Sequence, residues 1–257
     1  MMKNIQVINN SVCEQCKIKS CCFTDSTVKE MTIKLASETT VCPVSLLIEN
    51  PLDIIDEHTR QIKEASCIEC NLCALSCRFD NMQIIEKGAF SAAFDGLNEK
   101  QYNAIANAYL HHIFDFAANT NRNKAISFNG FCVTHNGEEA FVEVDYGNDS
   151  LECVRRILAD IAIYRPNSNK VINGIVVLKD IPRQGTHDVV NLIQKMSVFP
   201  MTADIRIYFT TFAILKYLAS NVLDKQKSFE DLLYSIDSNL DDYLAKIQRA
   251  HIDFNNR

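Results

Sequence analysis

From Asn98 onward, apolar positions recur at helical spacing: Tyr102, Ile105, Ala106, Tyr109, Ile113, Phe116 and Ala117. Residues three and four apart share one helix face, so this stripe predicts a core-facing helix with Asn98 as its N-cap. The pattern then shortens into the β-prone runs Ala125–Phe128, Phe131–Thr134 and Ala140–Asp145, separated by Asn129-Gly130 and Asn136-Gly137. Asn and Gly accept positive φ, so each dipeptide predicts a hairpin turn, and the three runs predict an antiparallel meander. Ser150 is placed to cap a helix bearing Val154, Ile157, Leu158, Ile161 and Ala162. Val171–Leu178 is an unbroken apolar run and predicts a buried strand. Thr186–Met196 reads as a helix, Ile205–Thr210 as a strand and Phe212–Ser220 as a helix.

Beyond Ser228, residues Phe229, Leu233, Ile236, Leu240, Tyr243 and Ile247 recur at alternating intervals of four and three, which is heptad spacing. Ser228 and Asp231 form a capping-box pair at its start. The pattern predicts a C-terminal amphipathic helix that packs within the domain or makes an oligomer contact. The whole order is α-βββ-α-β-α-β-α, an α/β domain over residues 98–257 with a mixed sheet flanked by helices.

The first 97 residues are patterned differently. Met31–Leu35 alternates apolar and polar residues as a half-buried strand does, and Pro51 ends the apolar stretch Val44–Asn50. Leu52–Lys63 predicts a helix started by Asp53, with His58 on its surface, and Met82–Glu86 predicts a short strand. His111 and His112 flank the stripe that begins at Tyr102 and read as structural.

Composition narrows the function. The chain has 257 residues, 47% hydrophobic and 23% charged, ordinary for a globular protein of one or two domains. No apolar run is long enough to span a membrane, and the N-terminus lacks the apolar core of a signal peptide, so a cytoplasmic protein is expected. The net charge of −6 divides into −4 over residues 1–97 and −2 over residues 98–257. Neither part is basic, which argues against DNA binding dominated by phosphate charge.

The cysteines change the picture. Nine of the 11 precede residue 78, and only Cys132 and Cys153 follow. Those two lie within a predicted strand and a predicted helix and read as small core residues. Without a secretion signal, the dense cluster points to metal rather than disulfides. Cys67-Ile-Glu-Cys70-Asn-Leu-Cys73-Ala-Leu-Ser-Cys77 has C-x2-C-x2-C-x3-C spacing. Tight turns let three thiolates of one short loop face three irons of a cubane, while the fourth iron takes a thiolate from elsewhere. Zinc sites favour two separated C-x2-C pairs and are the competing reading. Cys13-Glu-Gln-Cys16, Cys21, Cys22 and Cys42-Pro43 supply the material for a second half, read as a [4Fe-4S], a [3Fe-4S] or a zinc site, or as no site at all.

On these residues the chain resembles the two-cluster bacterial-type ferredoxins over about residues 11–90. The resemblance implies an α+β ferredoxin-like module within a domain of residues 1–97. It implies one [4Fe-4S] cluster on Cys67, Cys70, Cys73 and Cys42, and another on Cys13, Cys16, Cys77 and one of Cys21 or Cys22. The chain departs from the family in the long Cys16–Cys21 and Cys22–Cys42 spacings, in Arg78 where a Pro is usual, and in Asn71 where a Gly is frequent. Arg78 beside Cys77 offers a cation near a cluster, or a solvated surface charge.

The element order from 98 to 220 resembles the restriction-endonuclease-like fold, whose chemistry uses acids that hold Mg²⁺ and a lysine that activates water. The corresponding strand reads Phe141-Val-Glu143-Val-Asp145-Tyr146. Glu143 and Asp145 share one strand face, but Asp145 stands where the lysine would be. Asn129 replaces a clear Asp upstream, and Glu138 and Glu139 lie on a turn. A degenerate site with weak Mg²⁺ binding is expected. There is no Gly-rich phosphate loop and no H-E-x-x-H. Arg183 and His187 lie on a polar loop after a buried strand, where an anion site or a plain connection fits. The sequence therefore predicts an electron-transferring or electron-sensing protein with a redox partner. A nucleic-acid-processing protein carrying an iron–sulfur module, or a structural cluster in an interaction protein, are the alternatives.

Overall fold

The structure, a computed structural model, describes residues 5–7, 70, 72–75, 82–84, 97–118, 129–146, 149–164, 172–179, 205–221, 228–235, 238–239, 241–243 and 245–246. The chain divides into two compact units, Met1–Tyr109 and Leu110–Arg257. Among the described residues, no helix is long and apolar enough to cross a membrane.

In the first unit, β1 (Ile5–Val7) pairs antiparallel with β2 (Met82–Ile84), with Ile5 opposite Ile84 and Val7 opposite Met82. The short helix α1 (Leu72–Leu75) lies inside the second half of the cysteine run and buries Leu72 completely. Helix α2 (Glu99–Ile113) starts as the pattern predicts. The Asn98 side chain accepts from the Gln101 N–H at 3.0 Å, and the Gln101 side chain accepts from the Asn98 N–H at 2.9 Å. That reciprocal pair satisfies two backbone donors at the helix start, as a capping box does. The division between the units falls within α2.

In the second unit a six-stranded mixed sheet runs in chain order β3-β4-β5-β6-β7-β8. Its strands are β3 (Asp115–Ala118), β4 (Gly130–Val133), β5 (Glu139–Val144), β6 (Ile172–Leu178), β7 (Ile207–Thr211) and β8 (Tyr234–Ser235). The first three form the antiparallel meander, β5, β6 and β7 are parallel neighbours, and β8 returns antiparallel to β7. Parallel pairing needs a crossover, and helix α3 (Ser150–Tyr164) supplies it between β5 and β6. Every residue of β6 and β7 is buried, which is why those stretches show no alternation of apolar and polar residues. Helix α3 approaches β6 at Gly174, where a Cβ would lie 2.6 Å from the Ile157 side chain and 2.7 Å from that of Ile207. Helix α4 (Phe212–Asn221) follows β7 directly.

Several elements differ from the sequence prediction. Phe116 and Ala117 lie in β3, not on the helix: the last turn closes with the Phe114 N–H on the Leu110 carbonyl at 2.8 Å, and the chain then pairs with β4. The described first strand of the meander is therefore Asp115–Ala118, and Ala125–Phe128 lies outside the described residues. Asn129-Gly130 is not a hairpin turn. Gly130 pairs with both Ala118 and Val142, and a Cβ there would run into the Phe116 ring. Asn136-Gly137 does turn the chain, with Gly137 at φ +81° and the Thr134 N–H bonded to the Glu138 carbonyl at 2.9 Å. The cap of α3 is Asp149, whose side chain accepts from the Glu152 N–H at 3.1 Å, rather than Ser150.

The largest correction is at the C-terminus. Helix α5 (Phe229–Leu232) begins with the predicted capping box of Ser228 and Asp231, but it ends after one turn and Leu233 is extended. Phe229, Leu232, Leu233, Tyr234 and Ser235 are all buried. One helix face cannot bury four of those residues in succession, whereas a turn of helix followed by an edge strand on β7 does so and adds ladder bonds. No continuous helix runs through residues 229–235, whereas residues 241–243 and 245–246 of the predicted stretch are helical. The segments Met31–Leu35, Val44–Asn50, Leu52–Lys63 (with His58) and Thr186–Met196 lie outside the described residues, as do Arg78, Arg183 and His187.

Candidate functional site

Two places carry candidate chemistry, one in each unit. In the first, Cys70 and Cys73 are the cysteines of the run that fall within the described residues; Cys13, Cys16, Cys21, Cys22, Cys42, Cys67 and Cys77 lie outside them. Cys73 belongs to the single turn α1, and Cys70 is buried two residues before that turn begins. The Cys70 carbonyl accepts a hydrogen bond of 2.7 Å from the phenol of Tyr109, a fully buried residue 39 positions later on α2. A buried carbonyl outside a helix or strand ladder needs such a donor, and a buried phenol needs such an acceptor. The donor set of the run is thiolate throughout, which is the ligand that irons of a cubane take. A buried cysteine whose loop backbone is tied to a helix suits that group. Sequence reasoning placed Tyr109 on the core stripe and gave it no other role.

In the second unit, Glu143 lies near the carboxyl end of β5 and is 3% exposed. Alternation puts Phe141, Glu143 and Asp145 on one sheet face. Helix α3 covers that face: the Tyr164 ring meets Phe141 edge-on at 5.3 Å between centroids, and Arg156 Nε lies 2.9 Å from Glu143 Oε1. Arg156 also reaches Cys153 one turn back, with Nη2 to Sγ at 3.4 Å. The guanidinium therefore sits among a carboxylate, a thiol and the charge of Asp145. Burial opposes its ionisation, but Glu143, Cys153 and Asp145 outweigh that and raise its pKa above the ordinary value. Burial, and after it the Asp145 charge, push the Cys153 thiol up to about 12, so this cysteine is a neutral core group and not a nucleophile. Burial raises the Cys132 thiol as well. Both behave as the small core residues predicted from sequence.

Asn129, just upstream of β4, is buried. Its backbone N–H donates to the Val142 carbonyl at 2.7 Å, and its side-chain oxygen accepts from the Val144 N–H at 3.1 Å. It fastens β4 to the end of β5 that carries the acids, and that side-chain oxygen is committed to a backbone donor. Glu138 likewise has a structural partner, accepting from the Phe229 N–H at 3.0 Å. Among the described residues, no group of three or more His, Cys, Asp and Glu side chains is arranged to hold a metal ion. The charges of Glu143 and Asp145 both act on Arg156, a cation supplied by the chain itself. Arg156 was not singled out in the sequence. The available signal is its place on α3 between buried Cys153 and buried Asp160, where an apolar residue would be ordinary.

Compared with protein-family models, curated proteins and solved structures, the chain matches none.

Proposed function

We propose that the chain is an iron–sulfur protein whose N-terminal module binds two [4Fe-4S] clusters and transfers or senses single electrons for a redox partner protein. The mixed-sheet unit serves as the partner-binding or effector part. The observation that carries this reading is the β1–β2 pair. All nine clustered cysteines lie in the chain between those strands, and Val7 pairs with Met82. The chain therefore leaves β1 toward Cys13 beside the point where, after Cys77, it enters β2. Crossed ligation needs that convergence, since Cys13, Cys16 and Cys77 then serve one cluster while Cys42 joins Cys67, Cys70 and Cys73 at the other. A cubane supplies one-electron chemistry, at a potential set by its ligands, nearby hydrogen bonds and exposure. The test is EPR of the anaerobically purified, dithionite-reduced chain, with and without Cys42→Ala. Two reducible signals are expected, and Cys42→Ala is expected to damage the cluster on Cys67, Cys70 and Cys73. Selective loss of the Cys13-side signal contradicts the crossed assignment, and a chain with no reducible signal contradicts the reading itself.

A second reading has its own observation. The succession β3-β4-β5-α3-β6, with Glu143 and Asp145 near the end of β5, supports a nuclease-like fold for the second unit. In this reading the acid site is degenerate: Arg156 neutralises Glu143 from within, and the Asn129 side chain bonds backbone. Little or no cleavage is expected with Mg²⁺. Metal-dependent cleavage of DNA or RNA that disappears in Glu143→Ala overturns the degeneracy and makes nucleic-acid processing the leading function.

A further inference from the structure

We draw no further inference here: the strongest candidate, the surface patch of exposed Leu151 and Ile163 on helix α3, carries nothing because nothing in the structure shows what covers it.

Discussion

Among the described residues, the two units are built from different elements. In Leu110–Arg257, β6 and β7 are buried along their whole length, and α3 packs so closely that Gly174 leaves no room for a side chain. Aromatic contacts tie the margins: Phe114 and Tyr208 both pack against Phe229, with centroids 5.1 and 5.8 Å away. In Met1–Tyr109, the described elements ahead of α2 are two three-residue strands and one turn of helix. Strands that short give few ladder bonds and little apolar cover. Yet this unit carries nine of the 11 cysteines. The comparison teaches that burial accounts for the sheet unit, whereas the described elements ahead of α2 are short and lie in the unit that holds most of the cysteines. On the iron–sulfur reading, thiolate–iron bonds cross-link that unit, and metal binding and folding are then one process.

The largest expected effect separates the units outright. In the full chain, Cys70→Ser should empty its cluster and abolish hydrogen-exchange protection at β1 and β2, while β6 keeps its protection. Equal loss in β6, or unchanged protection at β1 and β2, breaks the comparison. Next comes the ion pair in the sheet unit. Glu143→Ala leaves Arg156 without its buried partner, and because the guanidinium is partly exposed the expected cost is about 2 kcal/mol rather than the larger penalty of a fully buried charge. Iron content should not change. Glu143→Ala combined with Arg156→Met should recover part of that loss in denaturant unfolding. A double variant less stable than Glu143→Ala shows that the pair was not the cause.

Gly174→Ala should destabilise the sheet unit by about 1–2 kcal/mol, because the added methyl meets Ile157 and Ile207. Retained thermal stability would mean that α3 can lift without cost. The smallest effect is at α5, where Ser228→Ala should cost about 1 kcal/mol by removing the cap. The Ser228 hydrogen bond holds the Asp231 carboxyl below its usual range. Its folded pKa lies below the unfolded one, so its contribution is present above the unfolded value and lost as pH falls through the folded one. Ser228→Ala should flatten that acid-side loss in a pH series of unfolding curves.

Much of the sheet unit was legible in the sequence because its signals are local. The Asn136-Gly137 turn, the β6 run and the Ser228–Asp231 box each lie within a few residues. What the sequence hid depends on partners far along the chain. β1 is three residues with no pattern of its own, and its mate is β2, some 75 positions away. Phe116 and Ala117 continue the helical spacing of Ile113, so periodicity alone cannot mark where the chain turns into a strand. Leu233 and Tyr243 keep heptad spacing although β8 intervenes, because both a helix and an edge strand on β7 can bury Leu233. At the candidate sites, Glu143 and Asp145 were visible by alternation. Arg156, Asn129 and Tyr109 were not, since each acts on a backbone or side-chain group in a different element.

The central claim, that thiolate-bound iron organises the first unit, is tested most directly by metal and sulfide analysis of the full chain purified without oxygen. About eight irons and about eight acid-labile sulfides per chain, with broad visible absorption bleached by dithionite, are expected for two cubanes. Stoichiometric zinc with no broad visible absorption would contradict the account.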